Sequence, residues 1–185
     1  TDKNISAGTL GMAKTLEILN KGTITVNGDT SVGIYGKTDK ITGAHASTNV
    51  TRANGLISNE GKITMTGNKA VGIVSNGLGN TVTLKGTGSS DIVIQGIEGI
   101  EIYAENSDVN LLTNYGIEVK DKGTGIFVKD GSTISVGNLE LKYSGSNTQR
   151  GTGIFYQGKA ATTMTNKVNI RLVDTVGSKI GLIGI

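Results

Sequence analysis

"NKGTITVNGDTSVGIYG" runs from Asn20 to Gly36, and "NEGKITMTGNKAVGIVS" runs from Asn59 to Ser75. Laid over one another without a gap, at an offset of 39, they share Asn20/Asn59, Gly22/Gly61, Ile24/Ile63, Thr25/Thr64, Gly28/Gly67, Val32/Val71, Gly33/Gly72 and Ile34/Ile73. A catalytic site needs its residues once, whereas a stack of similar units needs the same spacing in every unit. Repetition therefore points first to architecture.

The rhythm continues along the chain. Glycine followed by an aliphatic pair recurs at Gly33-Ile34, Gly72-Ile73, Gly99-Ile100, Gly125-Ile126, Gly153-Ile154 and Gly181-Leu182, with successive spacings of 39, 27, 26, 28 and 28. The first interval exceeds the second by 12 residues, which fall most naturally in "KTDKITGAHASTNVTRAN", Lys37 to Asn54, read as an inserted loop. Leu10-Gly11-Met12 is an earlier echo, 22 residues before Gly33, expected to belong to a repeat cut off at the N-terminus. Between the phrases lie short alternating runs such as "TITV", "KITMT", "TVTLK", "STISV" and "LELKY", the period-2 signature of half-buried strands. Asn27-Gly28, Asn76-Gly77 and Asp130-Gly131 punctuate them as turns. One stretch, "AKTLEILNKG" at 13–22, also keeps a helical apolar period.

The composition agrees with strands. Among 185 residues there are 29 Gly, no Pro, no Cys, no Trp, two Phe and five Tyr, yet 36% are hydrophobic. The core must therefore be aliphatic, and Ile and Val pack well on a pleated surface. Absence of cysteine excludes disulfides, CxxC redox chemistry and thiolate metal sites. The net charge of +3 is carried by scattered lysines, which does not build a nucleic-acid groove. No stretch approaches the roughly 18 apolar residues of a membrane-spanning helix, and no signal-like segment opens the chain. It begins at Thr1 and ends in strand-like "KIGLIGI", and it reads as a piece of something longer.

Three strands per repeat of about 26–28 residues, with no helix between them, suit neither a βαβ sheet nor a sandwich. They fit one all-β parallel β-helix over residues 1–185, each repeat one rung. Ile24, Ile63 and Ile92 should then form one inward column. Ile34, Ile73, Ile100 or Ile102, Ile126 and Ile154 should form another. The glycine ahead of each isoleucine is expected at a corner, in a conformation only glycine adopts and where a Cβ would clash.

The wording of residues 20–36 and 59–75, with its Asn-Lys-Gly or Asn-Glu-Gly start and its Val-Gly-Ile close, resembles the passenger repeats of the type V autotransporter adhesins of fusobacteria, the arginine-inhibitable adhesin and its relatives. Beyond about residue 76 the Gly-Ile phrases carry the resemblance. It implies a right-handed β-helix displayed on the cell surface and anchored in the outer membrane by a C-terminal β-barrel that is not in this sequence. The partners it implies are surface proteins or glycans of other bacteria or of host cells, with no nucleic acid.

Little chemistry sits on this scaffold. His45, the only histidine, lies in the inserted loop beside no acid and lacks the orienting partner a catalytic base needs. The Gly-x-Gly triplets at 77–79, 86–88, 123–125 and 151–153 lack the GxGxxG spacing of a dinucleotide site. Glu98, Glu101 and Glu105, with Asp108 beyond, form the densest acidic set; Glu101 and Glu118 alternate with aliphatic residues and are expected to point outward. A β-helix polysaccharide lyase or hydrolase is the alternative reading, since such enzymes gather carboxylates on one face. No catalytic residue, cofactor or metal is expected. Tyr35, Phe127 and Phe155 should line one outward stripe. The inserted loop and "KYSGSNTQRGTG" at 142–153 break the rhythm, and His45, Arg52, Tyr143 and Arg150 within them are the candidate partner-binding residues.

Overall fold

Alternating Ile, Val and Thr place one set of side chains inward and the other outward once the chain is extended. The computed structural model describes residues 7–13, 16–38, 55–85, 91–130, 133–145, 150–158, 163–165, 169–174 and 182–183. Among these are fifteen strands and no helix. Every strand pair is parallel.

Each repeat supplies three extended segments. The first segments lie side by side as β1 (Ala7–Ala13), β4 (Val32–Thr38), the start of β7 (Val71–Lys85), the start of β9 (Ile100–Val119), β10 (Thr124–Lys129), β12 (Gly151–Gln157) and β15 (Leu182–Ile183). The second segments are β2 (Leu16–Asn20), β5 (Gly55–Asn59), the later part of β7, the middle of β9, the start of β11 (Thr133–Tyr143) and β13 (Thr163–Thr165). The third segments divide. β3 (Thr23–Val26), β6 (Lys62–Met65) and β8 (Ile92–Ile94) form a separate sheet, whereas the ends of β9 and β11 pair with one another and with β14 (Asn169–Asp174).

The offset of 39 read from the sequence is the pairing register. Asn20 lies opposite Asn59, Ile24 opposite Ile63, Val32 opposite Val71 and Ile34 opposite Ile73. Equivalent residues therefore stack: Asn20 Nδ2 donates to Asn59 Oδ1 at 2.7 Å, and the backbone N–H of Asn68 donates to Asp29 Oδ1 at 2.8 Å. The inward columns are Ile34, Ile73, Ile102, Ile126 and Ile154, and Ile18, Ile57, Val82, Val109 and Ile134, all buried in one core. A fully buried isoleucine contributes roughly 1.5–3 kcal/mol, so these columns dominate the stability of the stack. Ile63 and Ile92 are buried as expected, while Ile24 is only half-buried.

Several expectations change. Residues 16–20, inside the stretch with a helical period, form strand β2, because Leu16 and Ile18 alternate inward against β5. Ile102, not Ile100, occupies the isoleucine column, so the true offsets there are 29 and 24 in place of the apparent 27 and 26. Gly11 lies opposite Gly36, and Gly8 is the residue at the glycine position beside Gly33. Lys37 and Thr38, read as loop, close β4, and residues 39–54 lie outside the described ones.

Of the two reasons expected for the glycine column, a conformation only glycine adopts and a Cβ that would clash, only the second holds. Among the described residues the glycines with positive φ are Gly28, Gly77 and Gly158; Gly33, Gly72 and Gly125 have backbones open to any residue. What they lack is room. A Cβ on Gly125 would lie 2.5 Å from Ile117 Cγ2 and 2.7 Å from the Gly153 carbonyl oxygen, and one on Gly72 would lie 2.5 Å from Ile92 Cγ2 and 2.7 Å from the Glu101 oxygen. The left-handed conformation falls instead on the corner just before β4, β7, β9 and β10, at Thr30 (φ 56°), Lys69 (56°), Glu98 (59°) and Lys122 (56°). Their amides donate to the next repeat, Thr30 to Asn68 O and Lys69 to Ile97 O, so stacking holds a backbone that local preference opposes.

Two substitutions separate these causes. Gly125→Ala should destabilise by roughly 1–3 kcal/mol through overpacking, while Gly22→Ala, where a Cβ meets nothing within 4 Å, should leave the thermal midpoint unchanged. Equal melting of the two variants in circular dichroism would refute the packing argument. Thr30→Gly should raise the midpoint, because it relieves a β-branched residue of a left-handed backbone at a cost of order 1 kcal/mol.

Candidate functional site

Of the four candidate partner-binding residues, His45 and Arg52 lie outside the described residues. Tyr143 is not at the surface. It ends β11, is 0% exposed, and its hydroxyl donates to Asp121 Oδ1 at 2.5 Å, so its ring packs the interior and offers nothing to a partner. The run "LELKY" stays strand to its end, two residues into the stretch read as breaking the rhythm. Arg150 is exposed and sits in the corner column of Thr30, Lys69, Glu98 and Lys122, with its carbonyl accepting the Lys122 amide at 3.0 Å.

In that corner Glu98 stands between two lysines. Glu98 is 3.6 Å from Lys69 Nζ and 3.3 Å from Lys122 Nζ. The hydrogen bond from Lys122 holds the Glu98 carboxyl below its ordinary range.

The outward aromatic stripe forms with one added member. Tyr35, Val74, Tyr103, Phe127 and Phe155 occupy one column of the first segments. Tyr103 escaped the sequence reading because Glu101 replaces the glycine of its Gly-Ile phrase; the trio Glu101-Ile102-Tyr103 is the equivalent of Gly33-Ile34-Tyr35. The rings lie on one another, with centroids 5.2 Å apart for Tyr103–Phe127 and 5.0 Å for Phe127–Phe155. Strand spacing alone sets these separations close to the preferred stacking distance. Tyr103 and Phe127 thus turn a face toward each other, and only edges and the end of the stack, Phe155 at 44% exposure, meet solvent. Such a column ties repeats together more than it offers an open platform.

Beside the rings runs a polar column. Glu105 accepts from Lys129 Nζ at 2.9 Å, from Tyr103 Oη at 3.1 Å and from Asn76 Nδ2 at 3.2 Å. The Lys129 hydrogen bond comes first among the causes that hold its carboxyl below the ordinary value of 4.5.

Glu101 departs most from expectation. The glycine column runs Gly8, Gly33, Gly72, Glu101, Gly125, Gly153, so a carboxylic acid stands where the other described repeats have no side chain. It is 2% exposed, which corrects the outward placement. Alternation failed as a guide because consecutive residues, Glu101 and Ile102, are both buried, as Gly33 and Ile34 are in the equivalent phrase. Oε1 accepts the Glu118 amide at 3.1 Å, while Oε2 is buried with no partner. Burial pushes this carboxyl well above its ordinary 4.5, against the pull of the Glu118 amide. Beside it a small cleft, with about 10 Å³ of interior space, is lined by Ile94, Gly96, Glu118, Lys120 and Thr124 among others. That is room for one water molecule.

The four acids that looked clustered thus separate: Glu98 to a corner, Glu101 to the interior, Glu105 to the outer face of the first segments, and Asp108 to the second segments. Among the described residues no group of three or more His, Cys, Asp or Glu is placed to hold a metal ion. Compared with models of known families, with curated proteins and with solved structures, the chain gives no match.

The lowered Glu105 carboxyl gives a signed pH dependence. Its contribution to stability should be present above pH 4.5, its ordinary value, and lost as pH falls through the folded-state value. Glu105→Gln should therefore lower the thermal midpoint at pH 7 and leave it close to wild type at pH 3. An equal drop at both pH values would show that shape, and not charge, matters there.

Proposed function

We propose that the chain is a segment of a right-handed parallel β-helix from the passenger of a cell-surface adhesin, with three strands to a rung and pairing offsets of 24 to 31 residues outside the insertion. Its stack serves as a stalk that carries binding loops away from the outer membrane, where a β-barrel of the parent protein anchors it. What supports the reading above all is the parallel pairing of equivalent segments from repeat to repeat, with like residues stacked on like across the first two full repeats. A stack of that kind can be extended by adding repeats, since each repeat contacts only its neighbours. The ring column and the Lys–Glu corner support it too, because both spend their polar and aromatic groups on adjacent repeats.

Binding is assigned to the inserted segment, with surface proteins or glycans of other bacteria or host cells as partners. Loop closure costs free energy only slowly with length, so an insertion can vary without unfolding its stack. The first repeat supplies the control. Ala13 lies opposite Thr38 and Leu16 opposite Gly55, so two residues join in the first repeat what residues 39–54 join in the second. Replacing 39–54 by Lys-Thr should keep the β spectrum and the melting temperature. Beads coated with the intact segment should adhere to partner bacteria or host cells, and beads carrying the shortened one should not. Equal adherence would remove the loop as the binder, and no adherence by either would leave the segment a stalk alone.

A further inference from the structure

The third segments change partners in mid-stack, and the break falls at Glu101. A Cβ on Gly8 would meet Ile24, one on Gly33 Ile63 and one on Gly72 Ile92, each an isoleucine of the same repeat as its glycine. A Cβ on Gly125 would meet Ile117, which belongs to the repeat before. The third segments therefore advance by one repeat between β8 and the end of β9. No strand pairing joins these two among the described residues: the sheet β3–β6–β8 ends at β8, and the end of β9 pairs onward with β11. The Glu118 amide, which a neighbouring strand would take in an unbroken sheet, is taken by Glu101 Oε1.

We propose that Glu101 makes this fault a proton-controlled joint, docked while its carboxyl carries a proton and loosened once the carboxyl ionises. The neutral acid fits a site where one amide donates to it and no cation is bonded to it. The ionised acid would be a buried charge whose second oxygen has no donor, a state relieved only by admitting water or by swinging the side chain out.

The surrounding charges do not rescue it. From the end of β9, Glu118 faces the site and disfavours a second negative charge, and its own carboxylate is 3.3 Å from Lys142 Nζ of β11. Lys120 lines the cleft and makes no bond to Glu101. At the corner, Lys122 is paired with Glu98; from β10, Lys129 is paired with Glu105. Strand β8, Ile92–Ile94, and the start of β7, Val71–Asn76, carry no charge. The sign follows. A carboxyl raised in the docked state gives stability that is complete below 4.5, its ordinary value, and is lost as pH rises through the docked-state value.

Amide hydrogen exchange, read as a protection factor so that base catalysis of the intrinsic rate is removed, tests the joint. In the wild-type segment, protection of the Glu118 amide should fall about tenfold per pH unit above 4.5 until it levels off, while the Ile57 amide in β5 stays constant. Glu101→Gln, which keeps the shape of the neutral acid, should hold protection flat across that range. Glu101→Gly, which restores the glycine column, should leave the Glu118 amide poorly protected at every pH with the rest of the stack intact. Glu105→Gln should keep the wild-type profile. A flat wild-type profile, a Glu101→Gln profile that falls in parallel with it, or full Glu118 protection in Glu101→Gly would each overturn the proposal.

Discussion

Parallel backbone pairing between equivalent strands of successive repeats is the constraint on which the rest depends. Parallel pairing sets like residue beside like residue at one strand spacing, and every other interaction is a consequence. Isoleucine stacks on isoleucine to make the core, asparagine on asparagine to close the turn after β2, and ring on ring outside. No single contact of these is strong. Their repetition makes any shift of register costly, since one slip would misplace all the columns together.

The corner shows how stacking overrides local preference. Threonine and lysine seldom adopt φ near 56°, yet Thr30, Lys69 and Lys122 do so at equivalent positions. Each amide there finds a carbonyl in the next repeat, and Glu98 sits between Lys69 and Lys122 in the column. Exposed ion pairs of this kind add little individually. The backbone bonds hold the turn, and the space beyond it then dictates glycine at Gly33, Gly72 and Gly125.

Glu101 is where these rules give way. The repeat that carries it loses its third-segment neighbour, the chain advances a level, and a carboxyl oxygen meets an amide that a strand would otherwise satisfy. Buried donors are almost always paired, so the side chain completes a hydrogen-bond ladder the backbone leaves open. Completing it costs a buried carboxyl with one idle oxygen. A stack that is uniform elsewhere thereby gains one position whose state depends on a proton.

Much of the architecture was legible in residues 20–36 and 59–75, because a period-2 pattern repeated at a constant offset admits few arrangements. The all-β content, the parallel register of 39, the aliphatic columns and the outward aromatic column all follow from spacing alone. The site was less legible. The glycines of "GIEGIEI" at 96–102 offer an even spacing that aligns Gly99 with Gly72, but packing chooses Glu101 for that place. Alternation likewise sent Glu101 outward, since it does not allow two consecutive residues to be buried; Tyr143, offered as a partner-binding residue, proved to be buried. Local pattern determined which residues prefer strands and which face the interior along a straight run. Only tertiary packing decided the register through the middle of the chain, the reason each glycine is required and the burial of one acid, because all three depend on what the neighbouring repeat places a few ångströms away.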